Sequence, residues 1–125
     1  MVDAPAEMTF DAFLAQPDNN GRMRHLAVTA GNRIVGVLRV NTALRQASEG
    51  AHSSVTLGDL ASRRFAIVRE TDIVFDVIRR IWRKQAVMAV VVRGRGVPRP
   101  GDIVGVITKE HVADSVASSV KVYPT

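Results

Sequence analysis

Apolar residues recur along the chain in two kinds of pattern. Ile73, Val74, Val77, Ile78, Ile81 and Trp82 fall at i, i+1, i+4, i+5, i+8 and i+9, one stripe of an α-helix, while Asp76, Arg79, Arg80, Arg83 and Lys84 take the other side. Thr71 or Asp72 is placed to cap that helix. Residues 87–92, Val-Met-Ala-Val-Val-Val, then run apolar without alternation, which predicts a strand covered on both faces. Pro98, Pro100 and the glycines between residues 93 and 101 make the next stretch a loop. A second strand is predicted over residues 103–107. Thr108 then caps a closing helix with Val112, Val116 and Val120 on its stripe and Ala113 and Ala117 beside them.

The same order occurs earlier in the chain. Residues 9–14 match 74–79 at an offset of 65, residues 25–28 match 87–90 at 62, and residues 34–37 match 103–106 at 69. Two copies of a helix, strand, strand, helix unit are therefore predicted, in an α/β fold of the α+β kind. Copy one spans 1–52, a linker 53–64 and copy two 65–125. In the linker Thr56 caps a short helical turn at Leu57-Gly-Asp-Leu60, and Phe65-Ala-Ile-Val68 is the opening strand of copy two. The first offset carried backwards sets Ile67 opposite Val2, so copy one begins inside its own first strand and the chain reads as cut from something longer.

At 125 residues, 46% apolar and a mean hydropathy of +0.07, the chain can build one core. No apolar run reaches the roughly 18 residues of a membrane helix, and the amino end lacks the order of a secretion signal. The absence of cysteine excludes disulfides, thiolate nucleophiles and Cys-based metal sites, and fits a cytoplasmic setting. Seventeen Lys and Arg against twelve Asp and Glu give +5. Seven of the seventeen lie between residues 79 and 99, a window without a carboxylate. Such a stretch suits phosphates, an acidic partner or an anionic membrane surface, or is simply a solvated helix face and loop. It has no aromatic ladder, so nucleic acid is not expected.

Catalysis is not expected either. No serine has a nucleophile-elbow context, the carboxylates are scattered, and Gly94-Arg-Gly96 lacks the Gly-Lys-Ser/Thr ending of a phosphate loop. His25 and His52 lie apart with no acidic pair, so no metal site is expected.

Ile34-Val-Gly-Val-Leu38 and Ile103-Val-Gly-Val-Ile-Thr108, with Val55-Thr-Leu-Gly-Asp-Leu-Ala-Ser62 between them, resemble the CBS domain, which normally occurs as a tandem pair. The resemblance implies a pseudo-twofold module of two small three-stranded sheets packed with four helices, pairing into a homodimer. It also implies an adenosine-nucleotide cleft in each repeat (AMP, ADP or ATP, with no cofactor required), closed by Gly-x-x-Thr/Ser-x-x-Asp at the start of the closing helix. There a hydroxyl and free amides take phosphate and the carboxylate takes the ribose hydroxyls.

Copy two keeps Thr108 but has His111 where Asp is expected, and copy one has Arg39 and Thr42 at those two places. In copy two the adenine is expected against Ile67, Val68 and Val90. Residues 105–116 and 121–124 look like the end of the CBS pairs that follow the membrane domain in bacterial members of the voltage-gated chloride channel and transporter family. This implies a cytosolic regulatory module whose partner is a parent membrane domain. The alternatives are a free-standing nucleotide sensor and the regulatory module of a metabolic enzyme.

Overall fold

Each unbroken apolar run becomes the central strand of a three-stranded sheet, with apolar cover on both sides. The computed structural model describes residues 3–16, 25–48 and 55–111. Their elements are β1 (Asp3–Pro5), α1 (Phe10–Leu14), β2 (His25–Ala30), β3 (Arg33–Arg39), α2 (Val40–Ser48), α3 (Leu57–Leu60), β4 (Phe65–Arg69), α4 (Val74–Arg83), β5 (Met88–Val92) and β6 (Ile103–Thr108), with a 3-10 turn at Pro100–Asp102. The sheets run β1-β2-β3 and β4-β5-β6. In each, the first two strands are parallel and the last two form an antiparallel hairpin. The architecture is thus α+β with two small three-stranded sheets, as the resemblance implied. Residues 112–125, which carry the expected stripe Val112, Val116 and Val120, lie outside the described residues, and so do Val2 and His52.

Strand alternation divides the core into three layers. Leu26 and Val28 of β2 face α1, α2 and α3, in a cluster with Phe10, Phe13, Val40, Ala43 and Leu57. Ala27 and Val37 point the other way and meet Met88, Val90, Val92 and Ile103, which joins the two sheets through their inner faces. Ala66, Val68 and Ala89 form the outer face of the second sheet, against Val77 and Ile81 of α4. The linker ties back to the first sheet: Val37 N–H donates to the Ser62 carbonyl at 2.9 Å and Ser62 N–H to the Val37 carbonyl at 2.7 Å.

The repeat is real in three dimensions, but two of its offsets shift by one residue. Both hairpins carry a β-bulge at the same place. Val28 pairs with Gly36 and Thr29 with Ile34, passing over Val35, while Val91 pairs with Gly105 and Val92 with Ile103, passing over Val104. Offset 69 therefore holds for β3 and β6. Because His25 pairs with Arg39 and Met88 with Thr108, β2 and β5 correspond at 63 rather than 62. The opening strands and the helix starts at Thr9 and Ile73 correspond at 64 rather than 65, which sets Asp3, not Val2, opposite Ile67. Matching letters aligned Ala27 with Ala89, yet the first faces the other sheet and the second faces a helix, so strand parity forbids the match.

Side-chain caps form at α1 and α3 but not at α4, where one is expected from Thr71 or Asp72. The Thr9 hydroxyl accepts from Ala12 N–H at 3.1 Å, and Thr56 and Asp59 form a capping box around α3. Helix α4, by contrast, starts after Ile73 with no side-chain cap. The Asp72 carboxylate instead accepts from Arg69 N–H at 2.8 Å and lies 3.8 Å from Arg80. Its stripe also divides: Val77 and Ile81 are buried and Ile78 half-buried, whereas Ile73, Val74 and Trp82 are exposed, Trp82 to 76%. The sheet offers α4 mainly Ala66, Val68 and Ala89, a low surface that one i, i+4 ridge fills.

Candidate functional site

A cavity of about 210 Å³ opens at the seam between the two repeats. Copy one supplies Val37, Leu38 and Arg39 from β3 and Thr42 and Ala43 from α2. Leu60 and Ser62 come from the linker, and Val87 and Met88 from the entry to β5. Local sequence explains the geometry. β3 passes without a break into α2 at Arg39, so Arg39 and Thr42 stand on the last strand residue and the first helical turn. The linker is pinned to β3 by its bonds to Val37 and brings Ser62 to the rim.

Arg39 is the one charged side chain in this lining, and it is already engaged. Its guanidinium donates to both carboxylate oxygens of Glu110, at 3.2 and 3.1 Å, and lies 3.5 Å from the Val87 carbonyl. Both acceptors belong to copy two, so one side chain stitches the seam. Glu110 is held below the usual carboxylate range, first by its own backbone amide at the start of a helical turn and then by Arg39.

The pseudo-twofold mate of this arrangement lies on the other side of the seam. At offset 69 Arg39 and Thr42 correspond to Thr108 and His111, and at 63 Met88 corresponds to His25. His111 and His25 indeed meet, ring centroids 5.8 Å apart and edge to face. Where the first cleft holds a cavity, the second brings two imidazoles into contact. Thr108 is buried, its hydroxyl accepts from His111 N–H at 3.1 Å, and its own N–H lies 3.4 Å from His111 Nδ1. The pair forms a reciprocal cap in which His takes the place usual for Glu or Gln.

The residues singled out from sequence therefore fall into separate groups. Arg39 and Thr42 share the seam cavity. Val68 and His111 line a different cavity of about 230 Å³ on the outer face of the second sheet, with Arg69, Glu70, Asp72 and Val77. Ile67 and Val90 join neither: both belong to the inter-sheet core, with Val90 wholly buried. Ile67 and Val68 are neighbours on one strand and point to opposite faces, so a single cleft does not contain both. Val87, Met88 and Ser62 lie beyond the motif, which describes a cleft within one repeat, because they come from the linker and from the other repeat. Their signal in sequence is the pseudo-symmetry itself, which pairs the helix start of one repeat with the hairpin entry of the other. Among the described residues no group of three or more acidic or histidine side chains is placed to hold a metal ion.

No family model and no curated protein matches the chain. Solved structures do. The CBS domain of a bacterial CNNM/CorC family Mg2+ transporter, in complex with ATP, is 23% identical, with a TM-score of 0.65 over 94% of this chain and 79% of that one. The CBS domain of a putative transporter from Clostridium difficile 630 is 18% identical, with a TM-score of 0.67 over 95% and 86%. Staphylococcus aureus OpuCA is 20% identical, with a TM-score of 0.58 over 94% and 93%. The fold is therefore that of the CBS domain pairs.

Proposed function

Taking that fold as the premise, we propose that the chain is a non-catalytic regulatory module of a larger membrane transport protein, on its cytoplasmic side, with an adenosine nucleotide as ligand of the seam cavity. The observation that carries the reading is that this cavity is assembled from both repeats around Arg39, so an occupant bears on how the repeats sit against each other. Two of the structural neighbours are parts of transporters, and one is described with ATP, which supports this class of parent and of ligand. The resemblance of the closing segment to bacterial chloride channels and transporters narrows the parent further. Ten or more membrane-length apolar segments encoded upstream in the native gene would agree with it, and an upstream region without any would overturn it.

The nucleotide reading has a direct geometric demand. At about 210 Å³ the cavity falls short of the roughly 300 Å³ at which small-molecule sites begin, so a whole nucleotide enters as Glu110 withdraws from Arg39 and a phosphate takes its place. Thr42 stands where a ribose-binding carboxylate is expected. Replacing it, Thr42→Asp, should tighten AMP, ADP or ATP binding about tenfold by supplying a charged acceptor. Calorimetric titrations that stay flat for both proteins would exclude the nucleotide.

A further inference from the structure

The basic stretch noted in the sequence is not uniform in the structure. On α4, Arg79 pairs with Asp76, and Arg80 donates to the Ile67 carbonyl at 2.8 Å and lies beside Asp72. Arg80 is thus held within the fold, whereas Arg79 keeps only an exposed pair at 3.8 Å and Arg83 and Lys84, at the helix end, are exposed with no ion pair among the described residues. In the loop joining β5 to β6, Arg93, Arg95 and Arg99 are exposed and make no ion pair among the described residues. Between them Val97 is 82% exposed, the most exposed large apolar residue described.

The loop is nevertheless well fixed. The Arg69 guanidinium donates to the carbonyls of Gly94 and Gly96, the second at 2.6 Å. Arg93 N–H donates to the Asp102 carbonyl at 2.9 Å, and Arg99 N–H to the Asp102 carboxylate at 3.2 Å. Gly94 and Gly96 take φ of 78° and 92°, which suits the sharp folding of this segment. The main chain and Arg69 therefore hold the loop in one shape, while its three guanidinium groups and its bare valine are left to the outside. Opposing charge near its base comes from Asp102, whose carboxylate is turned to the Arg99 amide, and from Glu70, exposed just after β4.

We propose that residues 93–99 form a docking finger for an anionic lipid bilayer. Cations set two and four residues apart around an apolar apex match a surface whose phosphates lie just above hydrocarbon. Arg95 and Arg99 flank Val97 at the depth where headgroup phosphate meets acyl chain. Nucleic acid is the poorer fit, because the loop carries no base-stacking aromatic and places an aliphatic group where a base or phosphate would sit. This docking does not depend on the nucleotide reading, and its test uses neither nucleotide nor parent protein.

The test is co-sedimentation of the full 125-residue chain with vesicles of phosphatidylcholine alone or mixed with phosphatidylglycerol. Binding is expected only to the mixed vesicles and should weaken as salt rises from about 50 to about 500 mM. The combined variant Arg93→Gln, Arg95→Gln, Arg99→Gln should lose roughly a hundredfold in affinity, about fivefold per arginine. Val97→Asp should lose severalfold. All four positions are exposed, so an unchanged melting temperature certifies the fold of each variant. Equal binding of the triple variant, no binding to mixed vesicles, or displacement of the vesicles by a DNA or RNA oligonucleotide at equal phosphate concentration would each overturn the proposal.

Discussion

Gly36 and Gly105 occupy the same place in the two hairpins, yet among the described residues only the first is crowded. A Cβ on Gly36 would stand 2.9 Å from the Ala61 Cβ and 3.0 Å from the Ser62 carbonyl oxygen, because the linker runs against β3 there. Gly105 meets nothing within 4 Å among the described residues. Gly36→Ala should therefore cost about 1–3 kcal/mol in urea unfolding, and Gly105→Ala no more than about 0.5. A similar asymmetry of role attaches to Glu110. Its folded-state pKa is depressed, so its contribution to stability is complete above the ordinary glutamate range and is lost as pH falls through the lowered folded value. Melting temperatures followed from about pH 7 to about pH 3 should show Glu110→Gln less acid-sensitive than the parent protein. The effect will be modest, since both partners are partly exposed to water.

Elements were legible in the sequence where burial is two-sided and less so where it is one-sided. The β-branched run from Val87 to Val92 reads as a strand covered on both faces, and β5 is the central strand of its sheet. The bulges at Val35 and Val104 left no mark in composition, and strand correspondence slips by a residue because like letters align Ala27 with Ala89 although the two face opposite sides of their sheets. The helix stripe at residues 73–82 overstated burial because periodicity reports which side is apolar, not how wide a surface awaits it. The end of α4 shows a comparable limit. Gln85 adopts φ of 51°, the left-handed region where glycine is at ease, although nothing in its neighbours' side chains announces it. Gln85→Gly should stabilise the protein by about 0.5 kcal/mol in thermal unfolding, since the bond from Arg64 to the Gln85 carbonyl is kept and only a long, exposed one of 3.4 Å to the Gln85 side-chain oxygen is lost.

For the molecule as a whole, half of the candidate site was within reach of motif reasoning. Arg39 and Thr42 follow from their position after Gly36, but their cavity partners come from the other repeat, and no local pattern records a contact across forty-eight residues. We propose that the homodimer implied by the resemblance forms over α4, where exposed Ile73, Phe75 and Trp82 give a second copy apolar side chains to cover. Light scattering at tens of micromolar should give about twice the 13.6 kDa chain mass, and Trp82→Gln should shift it toward the monomer; a monomeric parent protein would refute the pairing. The Arg39 stitch has one more consequence. Its two acceptors sit on the same repeat, so a slide of one sheet over the other carries Val87 and Glu110 away from Arg39 together. With the pair joined, the cavity wall is close to neutral; once parted, it presents a bare cation. The alignment of the two halves is in this way written into the sign of one surface, as a position encoder turns displacement into a two-valued signal.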